Sequence, residues 1–357
     1  MPGWCANIAV ALGGVMVSLS AGASRTAVTV SAEETLAAPQ PGRTAAGHTR
    51  FDLGRADIGA FMDQMARKGF DRKALGLLLA QAEPQPKIIE AMTRPAEKSL
   101  AWWEYRERFL KSERIDAGAR LWREHRELID AIAMERHVQP EYLLGILGVE
   151  TFFGRLMGRY RVLDSLTTLA FDYPARSEFF RQELEQFLLL TRSGELDPLT
   201  TVGSYAGAMG AGQFMPSSFQ RYAVDESGTG HRDLWADWAD IFGSIANYLQ
   251  QHGWQYEQPV LAEAALGAAN PPDATNSVVL NETLGALRLR GIHVTSALSD
   301  DTPCLILPAT LADGMSYRVG FHNFYVITRY NRSPLYAMAV NDLAQAIAAR
   351  VLDSDAP

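Results

Sequence analysis

The sequence predicts an α+β fold that is mainly α-helical, and three observations lead there. From Phe51 to about Trp254 apolar residues recur at helical spacing. From about Pro259 the pattern changes. "NSVVLNETLGALRLRGIHV", "CLILPA" and "YRVGFHNFYVITRYN" carry β-branched and aromatic alternation, with Gly, Asp and Pro between them. The stretch "LYAMAVNDLAQAIAARVL" then returns to helix. A small β-rich insert between helical parts, with the C-terminal helix packing back on a helical domain, fits the α+β class.

Residues 1–24 read as a signal peptide. Ile8 to Leu19, "IAVALGGVMVSL", is an apolar run of roughly a dozen residues, the length of a signal h-region and too short to span a membrane. "SAGAS" follows with the small residues that a signal peptidase accepts. The preceding "MPGWCAN" departs from the pattern, because it carries no Lys or Arg. Cys5 precedes the apolar run, whereas a lipoprotein cysteine follows it. Removal of the signal would leave Cys304 alone, so neither an internal disulfide nor a cysteine-based zinc site is expected. Residues 25–48, rich in Ala, Thr, Gly and Pro, read as a flexible linker.

Residues 49–138 are expected to form an N-terminal helical domain, joined by the C-terminal helix 334–352. "RADIGAFMDQMARKG" puts Ile58, Phe61, Met62 and Met65 on one face, with Gly69 as a C-cap. "KALGLLLAQA" and "AWWEYRERFLKSER" are further helical runs. "AGARLWREHRELIDAIAMERH" reads as one long helix with Leu121, Trp122, Leu128 and Ile132 as its stripe. Residues 139–257 form a second helical unit with Gly- and Pro-rich connections, including "ARSEFFRQELEQFLLLTRSG" and "ADIFGSIANYLQQHGW". Residues 258–333 are the β-rich insert. Nothing repeats at a fixed period, which excludes a solenoid.

With 357 residues, 47% of them hydrophobic and 21% charged, the chain can bury a real core. Its net charge of −8 argues against a nucleic-acid partner, which calls for a basic face. An uncharged saccharide is gripped instead by aromatics and hydrogen bonds, and the chain has 7 Trp, 12 Tyr and 15 Phe for that purpose.

The most informative residue is Glu150, in "LLGILGVETFFGR". With Pro140 opening a helix, Leu143, Ile146, Leu147 and Glu150 fall on one face. A carboxyl is thus aligned with the buried stripe, near a helix end signalled by Gly154. Burial raises a carboxyl pKa, and the negative end of the helix dipole disfavours the charge further, by ~0.3–1 kcal/mol. A carboxyl that keeps its proton near neutral pH suits a general acid. The same placement also describes an ordinary boundary residue near a helix end. "GSYAGAMGAGQFMPSSFQRYA" packs four glycines into a short span, so its backbone can approach a ligand closely, and Gln213 in its middle bonds in both directions. A tight structural loop is the alternative.

"GILGVETFFGRLMGRYRVLDSLTTLAFDYPARSEFF", "GSYAGAMGAGQFMPSSFQRYAVDESGTGHRDLW", "SIANYLQQHGW" and "YVITRYNRSPLYAMAV", in this order, closely resemble the membrane-bound lytic murein transglycosylase B family of glycoside hydrolases. The likeness runs from about Phe51 to Val351 and is strongest from Gly145 to Trp254. It implies a lysozyme-like helical core, with Glu150 of "GVET" as the catalytic acid/base over a saccharide groove. It implies that Ser204, Tyr205 and Gln213 contact the sugar and steer the glutamate. Arg176 matches one of two family arginines that reach the peptide stem; Ala175 stands in place of the other. Tyr105 and Tyr248 match aromatic positions of the cleft, and Tyr330, Asn331 and Tyr336 match a cluster beside the glutamate.

The resemblance implies cleavage of the β-1,4 bond between N-acetylmuramic acid and N-acetylglucosamine in peptidoglycan, with formation of a 1,6-anhydro product. Asp164 and Asp172 read as cap or turn residues rather than as a second catalytic carboxylate. No cofactor is expected for the chemistry. The expected partner is the peptidoglycan glycan strand, with cell-wall synthesis or remodelling proteins as further candidates, and a periplasmic monomer is expected. A muramidase on the same scaffold and a non-catalytic peptidoglycan-binding scaffold are the alternatives.

"DESGTGHRDLWADWAD" begins with EF-hand spacing: Asp225, Ser227 and Thr229 at positions 1, 3 and 5, Gly230 at the turn, and the His231 carbonyl at position 7. The resemblance implies a structural calcium here, with Asp240 as a later ligand displaced by one residue. Thr229 stands where an Asp is usual, and Ala236 where an EF-hand puts its bidentate Glu. A turn held by side-chain hydrogen bonds is the alternative.

Overall fold

The computed structural model describes residues 50–93, 100–267 and 278–355. The expected signal peptide and linker lie outside the described residues. Helices form where apolar residues recur at helical spacing. Ala56–Arg67 buries Ile58, Phe61, Met62 and Met65, and the chain turns away at Gly69 with φ +86°. Arg72–Leu79 opens at Asp71, whose carboxylate accepts the Ala74 N–H. The long helix expected around Leu121 and Ile132 is instead two, Ser112–Glu124 and Arg126–Arg136, broken at His125. Periodicity continues through the break, so pattern alone does not reveal it.

The Pro140–Thr151 helix buries every residue from Tyr142 to Val149, on all sides. It therefore runs through the middle of the helical part rather than along its surface. The C-terminal helix, Pro334–Asp355, packs along it and also along Ser112–Glu124 and Trp102–Glu107. The two central helices approach closely at Gly145, where a Cβ would sit 2.7 Å from the Val340 carbonyl oxygen. Val162–Asp172, Ser177–Arg192, Pro216–Tyr222 and Trp238–Gln251 complete the surround, and one continuous apolar core reaches from Phe51 to Ile347. Among the described residues no helix is long and apolar enough to cross a membrane.

The β-rich insert contains an antiparallel sheet of five strands. Across it the order is Glu282–Thr283, Pro303–Thr310, Met315–Gly320, Leu261–Ala265, His293–Val294. Val319 pairs with Ile306 on one side and Ala262 on the other. Leu284, Leu287, Ile292, Cys304, Val319 and Phe321 form a separate small core. Arg318 ties the sheet to the helices: its guanidinium lies 5.2 Å from the Trp102 ring centroid, and it pairs with Asp342 of the C-terminal helix at 2.8 Å.

Two stretches expected as β are helical. "LGALRL" forms Leu284–Leu289, opened by the Thr283 hydroxyl accepting the Ala286 N–H. "HNFYVITRY" forms His322–Tyr330, which buries Phe324, Val326 and Ile327. Short apolar runs satisfy both periods, and the cap and the packing decide between them.

Candidate active site

Glu150 lies in the last full turn of the Pro140–Thr151 helix and is half-buried. Pro140 opens that helix at its first position. The chain leaves it through three successive left-handed residues, Phe152 (φ +52°), Phe153 (+57°) and Gly154 (+79°). The Thr151 hydroxyl, fully buried, donates to the Ala211 carbonyl at 2.7 Å and accepts the Gly154 N–H at 2.9 Å. The glutamate helix is thereby fastened to the glycine-rich loop.

Glu150 Oε1 accepts a hydrogen bond from the Tyr336 hydroxyl at 2.6 Å. Tyr336 comes from the first turns of the C-terminal helix and is buried. Burial, then the nearby Glu150 charge, hold its hydroxyl protonated well above the usual range, and Tyr105 is close enough to add to the shift. Burial followed by the Glu150 charge act in the same direction on Tyr330, whose hydroxyl donates to the Gly212 carbonyl at 2.7 Å. Tyr248 is raised mainly by burial, with Glu150 contributing, and donates to the Arg329 carbonyl at 2.6 Å. Three protonated phenols therefore stand within electrostatic reach of one carboxylate. The Tyr248 and Tyr330 ring centroids are 4.6 Å apart, and Phe214 lies 5.9 and 5.8 Å from them. Phe214 and Thr151 belong to this setting and were not anticipated. Their neighbours Gln213 and Glu150 in the sequence were the available signal.

The glycine-rich loop is built by its own bonds. Ser204, buried, pairs its backbone with Ala208 and accepts the Ala208 N–H on its hydroxyl at 3.0 Å. Gln213 takes a left-handed φ of +53°, and its Nε2 donates to the Gly210 and Met157 carbonyls at 2.8 and 3.2 Å. That orientation commits the amide nitrogen and turns the oxygen the other way. Tyr205 is half-buried against the core. Gly158 (φ +90°) admits no side chain, because a Cβ would lie 2.2 Å from the Gly203 carbonyl oxygen. Asn331, buried between Tyr330 and Tyr336 in the chain, accepts the Ser333 N–H at 3.0 Å and turns the backbone into the C-terminal helix.

Arg176 stands on the turn Pro174–Arg176, its guanidinium 4.3 Å from the Phe179 ring centroid. Its Nη2 is buried without a hydrogen-bond partner, and burial lowers its pKa. Asp164 is held by Arg161 and by the Glu83 N–H, and Asp172 by Arg55. Both are thus engaged in structural contacts. A cavity of about 410 Å³ lined by Gln255, Asp301, Thr302 and His322 lies at the edge of the sheet, and none of the expected site residues lines it.

The expected calcium ligands do not assemble into a cage. Asp225 accepts the Thr229 and Gly230 N–H groups at 2.9 and 2.7 Å. Both Asp240 oxygens, fully buried, accept backbone N–H groups: Glu226 and Ser227 on one, Asp233 on the other. The Thr229 hydroxyl bonds the His231 carbonyl at 3.1 Å, and Ser227 Oγ lies 3.5 Å from Asp225. Among the described residues no group of three or more His, Cys, Asp or Glu is placed to hold a metal ion. In this arrangement the Asp225 and Asp240 carboxylates are engaged by the loop's own N–H groups.

The family described as "Transglycosylase SLT domain" matches residues 54–345. The chain is 40% identical over 298 residues to membrane-bound lytic murein transglycosylase B of Escherichia coli K12, covering 81% of each protein. The solved structure of the catenated lytic transglycosylase SltB1 of Pseudomonas aeruginosa superposes with a TM-score of 0.79 at 45% identity, over 84% of this chain and 99% of that one. The Escherichia coli lytic transglycosylase SLT35, solved in complex with calcium, gives 0.78 at 39% identity, over 85% and 96%. The chain belongs to the SLT family of lytic transglycosylases, enzymes that act on murein.

Proposed function

We propose that Glu150 carries the whole acid–base cycle alone. Protonated Glu150 gives its proton to the glycosidic oxygen between N-acetylmuramic acid and N-acetylglucosamine, and the C1–O bond breaks. The oxocarbenium-like centre is stabilised by the acetamido carbonyl of the substrate itself. Glu150, now a carboxylate, takes the proton of the muramic acid C6 hydroxyl as O6 bonds to C1. The products are an N-acetylglucosamine terminus and a 1,6-anhydromuramic acid, and no water is consumed.

The observation that carries this reading is the 2.6 Å contact from the Tyr336 hydroxyl to Glu150 Oε1, in a helix end ringed by phenols. One carboxylate with a fixed phenol donor suits an acid that becomes a base. The engagement of Asp164 and Asp172 in ion pairs supports it, since a two-carboxylate mechanism needs a second one free. On this reading Ser204 and Gln213 shape the sugar-binding loop, with Tyr205 at its side. Tyr105, Tyr248, Tyr330 and Asn331 frame the glutamate, and Arg176 reaches the peptide stem.

Residues 139–257 are then the catalytic core, with the N-terminal helices and the β-rich insert around it. The apolar run Ile8–Leu19 supports export to the periplasm, where murein lies. The test is digestion of purified sacculi with the wild type and with Glu150→Gln, followed by mass analysis of the muropeptides. The wild type releases anhydro-terminated fragments. Glu150→Gln releases at least a thousandfold less and still binds sacculi. Products heavier by one water would make the enzyme a muramidase instead.

A further inference from the structure

The chemistry above leaves one buried cation unused. Arg114 stands on Ser112–Glu124, a helix apart from the one that carries Glu150, and only 8% of it is exposed. Its Nη1 donates to the Gly148 carbonyl at 3.0 Å, and the same carbonyl accepts the Phe152 N–H at 3.2 Å. The guanidinium carbon lies 4.7 Å from the Phe152 ring centroid and 5.1 Å from that of Phe109. A cation withdrawn from water needs compensation. Here two aromatic rings and a carbonyl at the negative end of a helix supply it. Burial lowers the Arg114 pKa to about 10, so the group stays charged at neutral pH.

The place where it acts is strained. Phe152 and Phe153 both adopt left-handed backbone, which bulky residues rarely do and which persists only where the surroundings enforce it. Unwinding of this cap would relieve the strain and carry Glu150, two residues upstream, with it. The packing opposes that. The Phe153 ring lies over Gly148 and Gly118, where added Cβ atoms would come within 2.9 and 2.8 Å of it. Phe152 is met by Arg114 and also by Arg155, whose guanidinium carbon is 4.8 Å from the ring centroid. Arg155 is in turn 3.9 Å from Glu113, the neighbour of Arg114.

We propose that Arg114 is a positioning residue for the reaction: by holding the Gly148 carbonyl and the Phe152 ring together, it fixes the last turn of the glutamate helix and so the place of Glu150 opposite the Tyr336 hydroxyl. It acts through the backbone and touches no substrate. The inference rests on Glu150 performing the chemistry.

The test measures kcat and KM on solubilised glycan strands for the wild type, Arg114→Met and Arg114→Lys, each normalised to folded protein by circular dichroism at the assay temperature. Arg114→Met is expected to lose at least tenfold in kcat with KM unchanged within twofold. Arg114→Lys, which keeps the charge and a donor for the Gly148 carbonyl, recovers part of that loss. In a Glu150→Gln background, Arg114→Met binds sacculi as tightly as Glu150→Gln alone. A variant that melts earlier yet keeps full kcat per folded molecule overturns the inference and leaves the function of Glu150 intact. If Arg114→Met does not fold, Arg114→Lys decides: a several-fold fall in kcat at unchanged KM supports the inference, and wild-type kcat overturns it. An inactive wild type overturns the proposed chemistry and this inference with it.

Discussion

At the scale of single residues, the Tyr336 hydroxyl donates to Glu150 Oε1 at 2.6 Å. It is buried and keeps its proton at neutral pH, and so it donates to Glu150 when that group is a carboxylate. A hydrogen bond to a charged group is worth about 1.5–3 kcal/mol. If it is strongest when Glu150 is ionised between the two steps, Tyr336→Phe costs about tenfold to a hundredfold in kcat. KM on glycan strands should change little, because the phenol is directed at the enzyme's own glutamate. A variant with wild-type kcat would remove Tyr336 from the cycle. The helix that carries Glu150 was legible in the sequence, because Pro140 sets its start, but the expected one-sided stripe was not found: the helix is buried on all sides and Glu150 is half-buried. The stop was less legible. Gly154 signals it, but the left-handed backbone already begins at Phe152, which composition does not announce. Arg114 was not legible at all, since the charge of an Arg in "SERIDAG" predicts an exposed side chain.

At the scale of elements, buried carboxylates join helices to loops. Glu183, on Ser177–Arg192, accepts both the backbone N–H and the hydroxyl of Ser217, at 2.9 and 2.7 Å, and so caps Pro216–Tyr222 immediately after the glycine-rich loop. Burial raises its pKa, and the Ser217 bonds offset this only in part. A raised folded pKa means that the folded protein binds more protons than the unfolded chain. Stability from this group is therefore present below the unfolded value of about 4.3 and is lost as pH rises through the folded value. Glu183→Gln cannot titrate. Its melting temperature relative to wild type should rise as pH increases above about 4 and then level off, and a pH-independent difference would contradict this. The same scale shows why the β-rich insert was only half read. The strand Pro303–Thr310 alternates cleanly, whereas Leu284–Leu289 and His322–Tyr330 are short enough for alternation and helical spacing to coincide. The Thr283 cap was the missed clue.

At the scale of the whole molecule, one core holds the helical part, and the C-terminal helix connects its regions by packing on the glutamate helix and on Ser112–Glu124. The turn Asp225–Asp240 belongs to this frame as a hydrogen-bonded closure. Asp240 is buried on backbone N–H groups, and Glu226 pairs with Arg136 at 2.5 Å. Millimolar calcium or a chelator should therefore leave the melting temperature within about 1 °C. A site filled at a hundredfold excess over its Kd would instead add about 2.7 kcal/mol and several degrees. Its EF-hand spacing was visible in the sequence. What spacing did not show is that the Asp240 carboxylate accepts the N–H groups of Glu226, Ser227 and Asp233.

The central claim is that one carboxyl acts as acid and then as base while the substrate closes on itself. Digestion of sacculi in water enriched in heavy oxygen tests it most directly. The account predicts muropeptides whose muramic acid ends are anhydro and carry no label, with release abolished in Glu150→Gln. Reducing muramic acid ends bearing the heavy oxygen would show that water attacks C1, and would contradict it.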